Sequence, residues 1–228
     1  IVGSLSMTGL SGTLVNDLLS LAGDDVGLLL LMGALTSFVL GIGMTVTAAY
    51  IFLAVVLAPA LVSQDLDPLS VHLFILYWAM LSYITPPVAL GAYAAASIAG
   101  ANPLKTGLAA MTMGSVIYVI PFIFVLDPAF ILKSDVLSST QVVLEALIGV
   151  WLICGGLQGF LSGYGRLNHY SVRIALAVGG LLIALPYMGI AWPEAPANAD
   201  HLMLGAVLVG LGVLANIALF KQTPETSQ

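Results

Sequence analysis

Two short segments decide the fold: GIGMTVT at residues 41–47 and SYITPP at residues 82–87. Each lies near the middle of a long apolar stretch that lacks Asp, Glu, Lys and Arg, the first in residues 26–64 and the second in residues 68–104. A helix that crosses a membrane needs about 20 residues, so each stretch is too long for a single crossing. Hydrophobic segments interrupted by Gly and Pro are typical of the discontinuous helices at a transporter's binding site. The sequence therefore predicts part of a secondary transporter.

The composition indicates an all-α polytopic membrane protein. Hydrophobic residues make up 60% of the chain and charged residues only 7%, and the mean hydropathy is +1.10. A soluble domain carries about 25% charged residues. With five basic residues and a net charge of -6, the chain cannot build the cationic stripe of a nucleic-acid-binding protein. It has no nucleophile–base pattern, phosphate loop or metal-ligand spacing, so we expect neither an enzyme nor a cofactor.

Further apolar segments predict additional C-terminal spans, at residues 106–126, 146–165, 174–193 and 202–220. Residues 1–25 instead fit the tail of an earlier span followed by a short interfacial helix. We interpret Glu145 as an interfacial residue in the first turn of its span. A deeper position would make this carboxylate a candidate for proton relay. The start at Ile1, without an initiator Met or a signal peptide, predicts the C-terminal portion of a longer chain.

The distribution of Lys and Arg predicts the orientation. If residues 26–64 form a re-entrant hairpin and residues 68–104 cross once, one side of the membrane holds only Lys133. The other side then holds Lys105, Arg166, Arg173 and Lys221. This asymmetry predicts a cytoplasmic C-terminus. If the first stretch instead crossed once, only the placement of residues 1–25 would change, so the hairpin rests mainly on the length of the stretch.

The chemistry of the two breaks predicts a cation-coupled carrier for anionic solutes. Pro86 and Pro87 lack amide hydrogens, which frees the carbonyls of Ser82 and Tyr83 from helical hydrogen bonds. Thr85 is expected to cap a new half-helix that has Pro86 in its first position. Free carbonyl oxygens suit a hard cation such as Na⁺, and half-helix N-termini suit an anion.

The hairpin tip offers the same groups. Two glycines allow close approach of the backbone, and Thr47 is expected to cap the half-helix that follows. The predicted cation-binding residues are Gly41, Gly43, Thr45, Thr47, Ser82, Tyr83 and Thr85. The predicted substrate-binding residues are Thr47, Ala48, Thr85, Pro86 and Pro87. The alternative is a channel or membrane scaffold in which the breaks are only structural kinks.

These motifs resemble the large membrane subunit of TRAP (tripartite ATP-independent periplasmic) transporters, with the closest likeness to the fused permease of the TAXI subfamily. Residues 41–50 and 58–61 are similar to that family's hairpin. Residues 82–90, 92–96 and 98–101 are similar to its broken helix, and the likeness continues at residues 103–107, 121–122 and 127–129. The chain departs from the family pattern at residues 45–47, where the family has Pro-Thr-Thr, and at Tyr83, where the family has Asn.

The resemblance implies a permease of the bacterial inner membrane with inverted repeats that move as an elevator. Its partners would be a periplasmic solute-binding protein and the rest of the permease, including the small membrane subunit or a fused equivalent. A Na⁺ or H⁺ gradient would drive import of an organic anion or an amino acid. Residues 1–132 would then form the second-repeat transport core, namely interfacial helix, re-entrant hairpin, broken helix and closing span. Residues 133–228 would be accessory transmembrane helices with a short cytoplasmic tail.

Overall fold

The computed structural model describes residues 13, 16–17, 20–23, 25–43, 45–167, 169–185 and 200–220, with the backbone alone at 40–43, 200–201 and 214–220. Most of the predicted interfacial helix and all of the predicted cytoplasmic tail, residues 221–228, lie outside the described residues. The chain packs as two compact units, which divide between Ser134 and Asp135.

The regular elements of the first unit are all helical in its described part. Its helices are α1 (Val26–Gly43), α2 (Val46–Val56), α3 (Ala58–Val62), α4 (Pro68–Met80), α5 (Leu90–Ala99), α6 (Pro103–Met113) and α7 (Val116–Leu126). Short 3-10 turns follow α4 at Leu81–Tyr83 and α7 at Pro128–Ile131. The core lies where α1, α2, α4 and α7 meet, and its fully buried side chains include Leu29, Leu30, Leu53, Leu57, Phe74, Ile75 and Val125.

The first apolar stretch folds back on itself as the predicted hairpin. A Cβ atom on Gly33 would lie 3.1 Å from a methyl carbon of Leu57. These two residues are equally distant along the chain from Thr45, so α1 and α2 run antiparallel on either side of it. The hairpin is therefore built from two helices rather than from one kinked helix.

The non-helical tip is shorter than the predicted segment 41–47. Gly41 and Gly43 belong to the last turn of α1, because glycine in a helix costs only about 1 kcal/mol and does not end it. The helix restarts at Val46, and the cap is Thr45 rather than Thr47: the Thr45 backbone is extended, and its hydroxyl oxygen accepts a hydrogen bond from the Ala48 amide at 3.4 Å. The prediction that Thr47 caps this helix was wrong.

The second stretch breaks where the sequence predicted, but its second helix begins later. We expected Thr85 as N-cap and Pro86 as the first helical residue, and instead α5 begins at Leu90. The physical reason is Pro87, because a residue that precedes a proline is excluded from the α region, and here that residue is Pro86. The chain turns through Ala89, which has φ 36°, before the helix starts.

The remaining span of the first unit is also interrupted. Residues 103–126 form one apolar run that is long enough to cross a membrane. Within it, α6 ends at Met113 and α7 begins at Val116, so the helix is broken at Gly114 and Ser115. The predicted segment 106–126 thus starts earlier than expected, because Asn102 caps α6 through its side-chain oxygen, which accepts from the Lys105 amide at 3.0 Å.

The second unit consists of α8 (Val136–Gln158), α9 (Tyr170–Ala184) and α10 (Asp200–Phe220), with a small antiparallel hairpin between α8 and α9. Its strands are β1 (Phe160–Leu161) and β2 (Gly165–Arg166), and Phe160 pairs with Arg166. The all-α class is confirmed apart from these two short strands. The helices α8, α9 and α10 pack through glycines, as expected for close contact between apolar helices.

The predicted span 146–165 was misplaced. Its helix, α8, begins ten residues earlier at Val136, because the Asp135 carboxylate caps it by accepting from the Ser138 amide at 3.1 Å. It also ends earlier, at Gln158. Glu145 therefore lies in the interior of a helix long enough to cross a membrane, and not in its first turn. For the span predicted at 174–193, the described helix α9 ends at Ala184, and residues 186–199 lie outside the described part.

An ion pair at one end of the first unit gives a pH-dependent prediction. Lys133 bonds the carboxylate of Asp67, which also caps α4 by accepting from the Ser70 amide at 2.9 Å. The hydrogen bond from Lys133 is the main cause that lowers the pKa of Asp67. Because the folded pKa lies below the unfolded one, the stabilisation is complete above about pH 4 and is lost as the pH falls through the folded value.

We expect Lys133→Gln to lower the free energy of unfolding by about 0.5 kcal/mol at neutral pH, since the ion pair is partly exposed. The difference from the wild type should disappear at a pH low enough to protonate Asp67. Thermal unfolding of both proteins in detergent at the two pH values measures this. An equal difference in unfolding temperature between the two proteins at both pH values would show that the ion pair with Asp67 is not the cause.

Candidate cation and solute site

The break in the second apolar stretch, at residues 82–87, leaves backbone carbonyl oxygens without hydrogen-bond partners. It is called the second break below, and the hairpin tip is the first. After α4, the 3-10 turn Leu81–Tyr83 is closed by the amides of the next two residues, which both donate to the carbonyl oxygen of Leu81, at 3.1 and 3.0 Å. The residues that follow are two prolines joined by a cis peptide bond, and they have no amide hydrogens. Among the described residues, the carbonyl oxygens of Ser82 and Tyr83 accept no backbone hydrogen bond.

The side chains of this break face different surroundings. Tyr83 is 45% exposed, whereas Ser82 and Thr85 are 5% and 3% exposed. The Ser82 hydroxyl donates to the carbonyl oxygen of Ala79 at 3.0 Å, and the Thr85 hydroxyl is hydrogen-bonded to the Tyr118 hydroxyl at 3.2 Å. The two buried hydroxyls therefore stabilise the break through hydrogen bonds, while the Tyr83 side chain remains exposed.

The hairpin tip presents the N-terminus of α2. Thr45, Thr47 and Ala48 are all exposed there, and the amides of a first helical turn carry partial positive charge. Gly41 and Gly43 lie in the last turn of α1, where the final carbonyls have no partner within the helix. The tip thus offers both donors and acceptors from the backbone.

The structure brings the hairpin against the second break. Helix α1 contacts the turn Leu81–Tyr83, and the ring of Phe38 lies edge-on to Trp78, with centroids 6.4 Å apart. The second helix of the hairpin, α2, is also attached to α4, because the Tyr50 hydroxyl is hydrogen-bonded to Nδ1 of His72 at 3.2 Å. Among the predicted site residues, the turn that contains Ser82 and Tyr83 therefore lies beside the hairpin.

Thr85 and Pro86 lie instead against α6 and α7, which the sequence analysis did not connect with the site. A Cβ atom on Gly107 would come within 2.8 Å of Pro86, and the hydroxyl of Tyr118 contacts Thr85. A signal was available in the sequence: Gly107 and Gly114 are seven residues apart, which puts them on one face of a helix, and Tyr118 follows one turn later.

Comparison with known families gives the protein its identity. Residues 1–137 match the family of the tripartite ATP-independent periplasmic transporter, DctM component. The chain belongs to this family. The match covers α1 to α7, including the hairpin and the break at residues 82–87. It confirms the predicted TRAP large membrane subunit. Its TAXI-type fused form stays a prediction. No curated protein and no solved structure matches the chain.

Membership fixes the general role of this TRAP subunit. It is a component of an inner-membrane secondary transporter, and TRAP large subunits work with a periplasmic binding protein and a small membrane subunit. The family is one of transporter components rather than enzymes. Among the described residues, no three His, Cys, Asp or Glu side chains are grouped so that they could hold a metal ion.

Among the described residues of the second unit, Glu145 is a carboxylate in the interior of α8, a helix long enough to cross a membrane. Glu145 is the tenth residue of α8 and is partly buried, and its Oε1 accepts a hydrogen bond from Nε2 of Gln141 at 2.8 Å. The described partner is on the same helix, one turn earlier. The predicted place of Glu145 in the first turn of its helix was wrong, whereas its interfacial interpretation and its candidacy for proton relay both stay predictions.

Proposed function

We propose that this TRAP large subunit imports an organic anion or an amino acid delivered by the periplasmic binding protein, driven by a Na⁺ or H⁺ gradient. The observation that carries the proposal is that the carbonyl oxygens of Ser82 and Tyr83 have no backbone partners among the described residues, in a turn that α1 contacts. Bare backbone at membrane depth is tolerated where it is buried in protein or lines a polar cavity. In a transporter, such a cavity is the binding site.

The cation would bind between the C-terminal end of α1 and the turn Leu81–Tyr83, which α1 contacts. Carbonyl and hydroxyl oxygens are the ligands that hard cations take, and a site made of carbonyls replaces the hydration shell of the ion. Tyr83 would contribute its carbonyl oxygen, and so would the last turn of α1. The ligands that we propose are drawn from Gly41, Gly43, Thr45, Thr47, Ser82, Tyr83 and Thr85.

The solute would bind at the N-terminus of α2. This helix has 11 residues, Thr47 and Ala48 in its first turn are exposed, and the amides there favour an anionic group. Thr47, Ala48 and Pro87 have accessible surface for contact, while the more buried Thr85 and Pro86 would form the wall behind them. A bound cation lowers the cost of bringing an anion out of water into the same site, and this makes the binding of each depend on the other.

We assign transport to residues 1–132 and a supporting role to residues 133–228. The first segment contains both breaks, whereas α8 and α9 are continuous helices held together by glycines. The C-terminus would be cytoplasmic, as the distribution of Lys and Arg predicts. The small membrane subunit, or its fused equivalent, would complete the permease.

The proposal is tested by uptake into proteoliposomes that contain the complete permease, with its binding protein outside. Labelled dicarboxylates and glutamate are offered under a Na⁺ gradient, a pH gradient, or neither. We expect saturable uptake of at least one solute that needs one of the gradients. Uptake that is not saturable and needs no gradient would instead support the channel alternative.

A further inference from the structure

The Thr85 hydroxyl has its hydrogen-bond partner outside the broken segment. Thr85 is 3% exposed, and its Oγ1 lies 3.2 Å from the hydroxyl of Tyr118, which is 33 residues later in the chain on α7. A buried hydroxyl that loses its partner keeps the full penalty of its desolvation. The bond therefore fixes the break to α7 at one defined point.

Two glycines allow this close approach: Gly107 in α6, and Gly114 at the interruption between α6 and α7. A Cβ atom on Gly107 would lie 2.8 Å from Cγ of Pro86, and one on Gly114 would lie 2.8 Å from Cδ1 of Ile84. Both distances are shorter than real Cβ contacts. At these two points the run 103–126 therefore approaches the unwound segment with its backbone.

The ring of Tyr118 is itself held in place. It packs edge-on to Trp78 with centroids 5.9 Å apart and planes at 71°, and Trp78 also contacts Phe122 at 5.9 Å. Trp78 lies in the last turn of α4, directly before the break. Tyr118 lies in the first turn of α7, directly after the interruption at Gly114 and Ser115. One aromatic contact therefore joins the helix before the break to the helix that supports it.

We propose that Tyr118 is a positioning residue that fixes the orientation of the unwound segment 82–87, and with it the direction of the Ser82 and Tyr83 carbonyls that would bind the cation. The proposal rests on the proposed function only in naming the cation as what these carbonyls bind. Tyr118 itself acts through Thr85 and does not need to touch the cation or the solute. Without its hydroxyl, the turn would still form, but it would sample other orientations.

The test is a double-mutant cycle of Tyr118→Phe and Thr85→Val in the complete permease. Each single change should raise the half-saturating cation concentration for uptake about 5- to 150-fold, with little change in the maximal rate. The double variant should be no worse than the more severe single one, because both remove the same bond. The matched control is Tyr77→Phe: Tyr77 packs its ring on Phe124 at 5.4 Å, and its hydroxyl has no hydrogen bond among the described residues.

A second measurement does not depend on transport. Hydrogen–deuterium exchange of the amides in residues 81–90 should be faster in Tyr118→Phe than in the wild type and unchanged in Tyr77→Phe. If exchange is the same in all three proteins, or if the effects of the cycle add, Tyr118 does not position the break. If wild-type uptake ignores both gradients but exchange still rises in Tyr118→Phe, the proposed function fails and the positioning role stands.

Discussion

Replacing Gly149 by alanine should force α8 and α9 apart and destabilise the second unit. A Cβ atom at this position would lie 2.5 Å from Cβ of Ala184 and 2.5 Å from the carbonyl oxygen of Gly180. Across the contact, a Cβ atom on Gly180 would lie 2.6 Å from the carbonyl oxygen of Gly149. Since backbone atoms line both sides, no rotamer change can relieve the clash.

Two effects oppose each other in Gly149→Ala. Alanine favours a helix over glycine by about 1 kcal/mol. Overpacking costs about 1–3 kcal/mol, and here the cost should be at or above the upper end because the neighbours are backbone. We expect a net loss of about 2 kcal/mol, measured as a lower midpoint of thermal unfolding in detergent.

The matched control is Gly210→Ala in α10, because a Cβ atom at Gly210 has no atom within 4 Å among the described residues. Its unfolding midpoint should stay the same or rise slightly. Equal midpoints for Gly149→Ala and the wild type would show that the two helices are not in backbone contact. The fraction of Gly149→Ala that remains folded should keep the cation dependence of uptake, if residues 133–228 only support the transport core.

Replacing Thr85 by valine should weaken the apparent affinity for the coupling cation. Valine keeps the size and the branching of the side chain, so packing at this buried position should survive. The change leaves the hydroxyl of Tyr118 without its described partner and frees the segment that carries the unpaired carbonyls. An unpaired buried polar group costs about 1–3 kcal/mol, or roughly 5- to 150-fold in an apparent affinity.

Thr112→Val is the control for this change. Thr112 is exposed on α6, and its hydroxyl donates to the carbonyl oxygen of Leu108 in the same helix at 3.2 Å, so the loss should be small. The measurement is solute uptake by the reconstituted permease, with its binding protein, across a cation titration. Equal effects near zero at both threonines would remove Thr85 from the site and reduce the break to a structural kink.

Several features of the protein could be predicted because they follow from neighbouring residues. Two consecutive prolines remove amide hydrogens wherever they occur, so the position of the second break followed from Pro86 and Pro87. The hairpin followed from a stretch that is too long for one span. The same local rules failed where two of them compete, as at Thr85, whose capping role was excluded because Pro87 keeps Pro86 out of the α region.

Other features depend on residues that are far apart in the sequence, and only the tertiary structure decided them. No periodicity pairs Thr85 with Tyr118 or Tyr50 with His72, because each bond forms only when two helices pack at one particular register. Gly149 and Gly180 pack against each other, and nothing in the order of the chain pairs these two glycines. The sequence by itself determined where the helices break, through the chemistry of the backbone. The packing of the helices determined which groups support the breaks, because hydrogen bonds and steric contacts act at distances that the chain order does not specify.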